Sequence, residues 1–343
     1  MSTPPSEDDS IAAYFGYAEI GDSPAEQKLQ NMKRRKTRRR LYTLIGLIGT
    51  AFLFYASLRV IEFNLAELVG QFGQFYEALL EYFPPTTYFG IPFVDLGAYV
   101  SFIVEENLIL SIENGRIVWG AMFVTMAVAF AGTVLGLPLA LFFGVMSSER
   151  VVPYPFNFVF RATMSLIRAI PGLVWFLILI PLAGVTPFTG ALAIMVDTTG
   201  YLGRLFTDEL EEIEDGPIEG IRSTGASRSQ VVSFGMLSQV VRQFIAWIAF
   251  DLEHNVRAAI GLGIIGAGGL GLELYIQRQT FHYTEMMACI ILIFLLAGSV
   301  ELISQRVRSM LRDDDTVETS GVLEAFLDSP KKILASTMGR RER

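Results

Sequence analysis

The chain of 343 residues is 52% hydrophobic, with 26 Phe and only 18% charged residues, and carries a formal net charge of −8. That is too apolar for two ordinary soluble domains and fits a multi-span helical membrane protein; the acidic balance argues against nucleic acid, and the acidic residues gather in tails and loops as solvated ends do. A single cysteine, Cys289, excludes an intramolecular disulfide, and two histidines, His254 and His282, cannot alone make a zinc site.

Residues 1–40 read as a polar tail that closes on Lys33-Arg34-Arg35-Lys36-Thr37-Arg38-Arg39-Arg40, seven positive charges set against an apolar stretch at 41–58. The positive-inside rule explains the run and puts the amino terminus in the cytoplasm. The apolar stretch starts too far from Met1 for a cleavable signal, so 41–60 is expected to stay as an anchor helix. Between 61 and 115 there is no Lys or Arg, yet Glu62, Glu67, Glu77, Glu81, Asp95, Glu105, Glu106 and Glu113 are present, which places 61–116 outside. There, Leu65, Leu68, Val69, Phe72, Tyr76, Leu79 and Phe83 recur at helical spacing until Pro84-Pro85 stops them. The pattern predicts a helix on the outer membrane surface or packed on the outer ends of other subunits.

A core domain is predicted at 117–312, with apolar intervals at 117–146, 156–185, 188–206, 240–265 and 286–302 that are long enough, or nearly so, to cross ~30 Å of hydrocarbon. Gly120, Gly132, Gly136 and Gly144 in the first let other helices approach, and Ile170-Pro171-Gly172 predicts a kink in the second. With the anchor, the count is about six spans in an all-α polytopic protein. Alternation then puts the loop at 147–155, the polar interval 208–239 and a carboxyl-terminal tail at 313–343 inside, in agreement with Arg306, Arg308 and Arg312 after the last span. In the interval 208–239, the stretch from Pro217 to Ser227 predicts a short helix followed by a glycine turn. No internal repeat is visible, which makes the chain half of a symmetric pore.

Ionisable residues inside spans usually face a cavity or a partner. Asp251, Glu253, His254, Asn255 and Arg257 lie in the fifth predicted span and point in different directions; Asp197, Thr198, Thr199 and Arg204 form a second patch in the fourth. Both read either as the lining of a translocation path, with Arg204 and Arg257 attracting an anion, or as contacts between helices. Glu253 and Arg257, four apart, are also placed to pair with each other. Gly266-Ala267-Gly268-Gly269-Leu270-Gly271 matches the dinucleotide pattern GxGxxG but lacks its βαβ setting, so a tight turn at the outer end of the pore is expected. No GxxxxGK[ST] occurs, so the chain does not itself hold ATP in a P-loop.

These residues resemble the permease subunits of type I ABC importers, and among them the phosphonate/phosphite type. The family's loop signature is EAA, three residues, Gly, nine residues, Ile, one residue, Leu-Pro; here Glu219, Gly225 and Leu237 occupy their places, while Gly220 and Ile221 replace the two alanines, Gly235 the Ile and Ser238 the Pro. The phosphonate type is supported by Tyr82-Phe83-Pro84-Pro85, Arg168-Ala169-Ile170-Pro171, 200–206, Arg222-Ser223-Thr224-Gly225-Ala226-Ser227 and the run from Asn255 to Ala259 leading into the glycine turn, together covering about 80–272. The glycine turn and the loop also look like those of methionine and betaine importers.

The resemblance implies a MetI-like fold in the cell membrane, a homodimer of this chain, two ATPase subunits carrying ATP and Mg on the cytoplasmic side, and an extracytoplasmic binding protein, with no cofactor or enzyme activity in this chain. It assigns coupling to the ATPase to Glu219, Gly220, Ile221, Arg222, Thr224, Gly225, Ala226 and Ser227. A translocation path is expected at Asp197, Arg204, Asp251, Glu253, Asn255 and Arg257, and the outer turn at Gly266, Gly268, Gly269 and Gly271. Two other classes stay open: an ion-coupled secondary transporter using Asp197, Asp251 and Glu253, disfavoured by the missing duplication, and an intramembrane enzyme, for which Glu253 with His254 is the sole pair.

Overall fold

The computed structural model describes residues 24–113 and 116–311; the expectations for residues 1–23, for the basic Arg312 and for the tail at 313–343 fall outside the described residues. The chain divides into two units, Met1–Tyr76 and Glu77–Arg343. In the first, α1 (Pro24–Val60) runs unbroken through the basic run into the apolar stretch, because Lys, Arg, Gln and Leu all favour helix. The helix therefore starts well before the expected anchor boundary. Its part Arg38–Val60 is long and apolar enough to cross a membrane. The helix predicted over 65–83 is two: α2 (Leu65–Gly70), started by the Asn64 side chain accepting the Ala66 and Glu67 amides, and α3 (Phe72–Tyr82), which ends just before Pro84-Pro85.

Two β-hairpins follow, β1–β2 (Pro85–Tyr88, Ile91–Val94) and β3–β4 (Leu110–Glu113, Arg116–Trp119), on either side of α4 (Leu96–Glu105). Sequence periodicity does not anticipate them. Four-residue strands are too short for alternation to register, and the first hairpin turns on Phe89-Gly90, at φ 52° and 83°, where Asn-Gly is the usual signal.

The rest is helical: α5 (Ala121–Ser147), α6 (Phe156–Ala169), α7 (Gly172–Ala183), α8 (Pro187–Glu212), α9 (Asp215–Ser223), α10 (Ser238–Leu262), α11 (Gly269–Gln279) and α12 (Tyr283–Leu311). A π-helical stretch, Val231–Leu237, leads into α10, and another, Gly263–Ala267, leaves it. The α5–α8 pair forms the closest packing, since a Cβ on Gly132 would lie 2.5 Å from Ile194 Cγ2 and one on Gly136 2.7 Å from Thr198 Cγ2. Small residues bring these two backbones together, as the glycine pattern predicts.

Among the described residues, four stretches are long and apolar enough to span a membrane, in α1, in α5, in Arg228–Ala267 (α10 with the π-helical stretches at its two ends) and in α12, and α6 with α7 makes a fifth if counted as one. That pair replaces the expected kinked span: it bends by 93°, because the residue before a proline avoids the helical region and Ile170 sits at φ −102°, ψ 117°. The one predicted span left, the fourth in chain order, is α8, 26 residues and so ~39 Å long. Asp197, Arg204, Asp208 and Glu209 make it too polar to qualify by hydropathy. Two apolar cores hold the bundle, one around Val128, Phe176, Ile194, Leu270 and Leu296, the other around Leu202, Phe206, Ile218, Met236 and Phe244.

Candidate functional site

At one end of the bundle, α9 carries Glu219, Gly220, Ile221 and Arg222. Pro217 falls in its first turn, where its missing N–H costs nothing. The helix stops as expected: Gly225 takes φ 81°, its amide donates to the Arg222 carbonyl at 3.0 Å, and the Thr224 hydroxyl donates to the Ile221 carbonyl at 2.7 Å. Ser227 then starts the next turn through a capping box with Gln230.

The helix is anchored on one face only. Ile218 is buried and Ile221 half-buried against Val231 and Met236, while Glu219, Gly220, Arg222, Thr224, Gly225 and Ser227 are exposed and Ala226 is half-buried. Gly235, where the family signature has Ile, is explained by this packing, because a Cβ there would already lie 3.3 Å from Ile221 Cδ1. A larger side chain at 235 would push the π-helical stretch off α9.

Charges stitch this end to the loop at 147–155. Arg150 pairs with Asp215 at 2.7 Å, Arg161 with Glu211, and Arg228 donates to the Val151 carbonyl at 2.6 Å. Both loops therefore lie at the same end, as the alternation of spans requires.

The glycine turn lies at the other end of α5, some ~40 Å away by helical rise. Gly266, Gly268 and Gly269 take φ 108°, 88° and 71°. Gly271 answers to space instead: its Cβ would come within 2.0 Å of the Ile260 carbonyl oxygen. The Leu270 amide donates to Thr125 Oγ1 at 2.9 Å, tying the turn to the start of α5. Helix, not strand, precedes this glycine run, so the dinucleotide geometry is missing.

Between the ends, the charged residues separate into three groups. Asp251 and Asn255 are buried with Thr133 and Thr198. Asn255 Nδ2 lies 2.8–2.9 Å from Thr133 Oγ1, Thr198 Oγ1 and Asp251 Oδ2, and Thr198 donates to Asp251 at 2.9 Å. Glu253 turns the opposite way, pairing with Arg257 at 3.0 Å and with Arg308 of α12 at 3.3 Å, while Arg257 also reaches Glu301 at 3.1 Å. The i,i+4 pair suggested by the sequence is thus half of a four-residue network. Asp197 belongs to neither group: it faces Gly172 at the α6–α7 break and interacts electrostatically with His254 and Arg168. Arg204 pairs with Asp208 at 2.9 Å, so the seven-residue spacing from Asp197 does not join the two. Sequence reasoning passed over Thr133, Arg168 and Tyr201 as members of these groups, since only the tertiary fold brings their helices together.

The family of binding-protein-dependent transport system inner membrane components matches residues 136–309. The chain is similar to the phosphite transport system permease protein PtxC of Stutzerimonas stutzeri, at 29% identity over 52% of this chain and 66% of that one. It is also similar to the phosphate-import permease protein PhnE of Mycolicibacterium smegmatis, at 30% identity over 54% of this chain and 35% of that one. It thus spans less than two thirds of each. A chain of a bacterial alginate ABC transporter, crystallised with an alginate pentasaccharide-bound periplasmic protein, superposes with a TM-score of 0.51 at 14% identity, covering 81% of this chain and 98% of the other; that likeness concerns the fold alone.

Proposed function

Because the chain belongs to the family of binding-protein-dependent transport system inner membrane components, we propose that it forms the translocation path for phosphonate, phosphite or a related oxyanion. It is the permease component of an ABC importer, a multi-pass inner-membrane protein and not the ATPase. In this reading two copies enclose the path, two ATPase subunits meet the cytoplasmic end, and a binding protein delivers the ligand outside, with both termini in the cytoplasm. ATP and Mg belong to the ATPase.

The observation that carries the coupling role is α9 itself, a short helix fixed by one buried face and stopped by a glycine turn, with Glu219 and Arg222 left exposed. Such a helix passes on a push that a floppy linker would absorb. The exposed residues between Glu219 and Ser227 meet the ATPase, and Ile221 holds the helix against the π-helical stretch. The glycine turn at 266–271 braces the outer end. Asp197 lines the path on one side of α8, with Asp251 and Asn255 joining α10 to α5 and α8 behind it. Arg204 is matched by Asp208 within α8, and Glu253 with Arg257 ties α10 to α12 beside the path.

The substrate class is supported by the two relatives named above for phosphite and phosphate import. The test is ATP-driven uptake into proteoliposomes holding this chain, its co-encoded ATPase and its binding protein. Uptake of phosphite, methylphosphonate or phosphate is expected, and Glu219→Ala abolishes it. Uptake by this chain alone without ATP overturns the assignment in favour of an ion-coupled carrier.

A further inference from the structure

Arg204 and Arg257 are committed to carboxylates, which leaves the anion-attracting role open at a third position. Arg168 lies in the last turn of α6 and is exposed, and among the described residues it makes no ion pair, unlike Arg161, Arg204 and Arg257. Its stem packs on α8, where a Cβ on Gly200 would lie 3.0 Å from Arg168 Cγ. Asp197 is one turn away on α8 and within electrostatic reach of both Arg168 and His254. Tyr201, a further turn along, stacks on His254 of α10 with ring centroids 6.0 Å apart and planes 16° apart. Three helices thus bring a guanidinium, a carboxylate, a phenol and an imidazole to the α6–α7 break.

The depth suits a path. Asp197 is ten residues into α8 and His254 eight from the end of α10, hence ~15 Å and ~12 Å from the outer ends of those helices, about the middle of a ~30 Å hydrocarbon layer. An arginine there without a carboxylate partner is costly unless it meets water or an anion. The guanidinium fork matches two oxygens of a tetrahedral oxyanion, and the tyrosine hydroxyl adds a donor. Asp197 has the wrong sign for a bare anion but the right chemistry for a partly protonated one, since a carboxylate accepts from a P–OH group. It also keeps the local net charge low, so that the ligand passes on instead of being trapped.

We propose that Arg168, Asp197, Tyr201 and His254 form a mid-path contact for a partly protonated tetrahedral phosphorus oxyanion, with Arg168 holding two unprotonated oxygens and Asp197 accepting from the P–OH. The assignment rests on the substrate reading above. It is tested with radiolabelled phosphite in proteoliposomes containing the full complex at saturating binding protein. Arg168→Gln lowers ATP-driven uptake at least tenfold, Arg168→Lys, which keeps the charge but not the fork, at least threefold, and Arg306→Gln, an exposed position on α12, leaves it unchanged. Wild-type uptake by assembled Arg168→Gln complexes overturns the contact while leaving the substrate reading intact. Where the Gln variant does not assemble, Arg168→Lys decides in the same way. A wild-type complex that takes up no phosphite, methylphosphonate or phosphate overturns both.

Discussion

The two ends of the core bundle both use glycine turns, but in opposite ways. At the α9 end, a Cβ on Gly220 or Gly225 would meet nothing within 4 Å, and most side chains from Glu219 to Ser227 are exposed. At the far end, the glycines at 263–271 press against backbone or against the side chains of Thr125, Val185 and Pro187, so that a methyl group would crowd its neighbours at each of them. One end is finished by its own packing, whereas the other leaves an exposed face, which we propose docks the ATPase. The difference separates residues packed into the fold from residues left exposed, although both runs look like loop glycines in the sequence.

The strongest way to break this comparison is Gly271→Ala. Its Cβ would sit 2.0 Å from a backbone oxygen that cannot swing aside, and the expected loss is at or above the ~3 kcal/mol reached by overpacked cores, read as a lower unfolding midpoint of the purified protein. Next comes Ile218→Ala, which removes the buried anchor of α9 and is expected to cost about 2–4 kcal/mol while also uncoupling ATP hydrolysis from uptake. Gly225→Ala, strained by φ 81° but unobstructed, should cost only about 1–2 kcal/mol in the same unfolding assay. Gly220→Ala, in open space on a helix, should change stability by less than about 1 kcal/mol and in the stabilising direction. If Gly220→Ala and Gly271→Ala destabilise alike, the contrast between the ends is wrong.

The smallest effect is a pH dependence at the end that carries the glycine turn. Glu273 of α11 is half-buried, and that burial, followed by the charge of Glu106, raises its carboxyl above the usual range. A raised carboxyl binds its proton more tightly in the folded state, so this contribution is complete below the ordinary carboxylate range and is lost as pH rises through the folded value. Glu273→Gln should flatten the thermal midpoint's fall with pH over that window. An unchanged pH profile would show that Glu273 is ionised at no cost.

Much of this architecture is legible in the sequence because it is local. Apolar runs locate the helices, the step from Glu219 to Gly225 locates the short helix and its stop, and the four-residue spacing of Glu253 and Arg257 gives an ion pair. What is not legible depends on contacts between elements far apart in the chain. The Ile170-Pro171 break is visible, but its 93° angle is set by the packing of α6 and α7 on α8. Arg204 and Arg168 look alike as span arginines, and only the fold shows that the first pairs with Asp208 while the second has no carboxylate within ion-pair distance among the described residues. Gly235 is a departure from the family signature until Ile221 is seen against it.

We propose that the exposed face of α9 docks the ATPase. Cys289 is the chain's single cysteine and is buried, so after its replacement a cysteine can be placed at either end and cross-linked within the assembled complex in proteoliposomes. The account predicts that Glu219→Cys cross-links to the ATPase subunit, with a yield that changes on adding ATP, while Gln279→Cys at the end of α11 does not. Cross-linking of the ATPase through position 279, or none through 219 in an assembled complex, would contradict it.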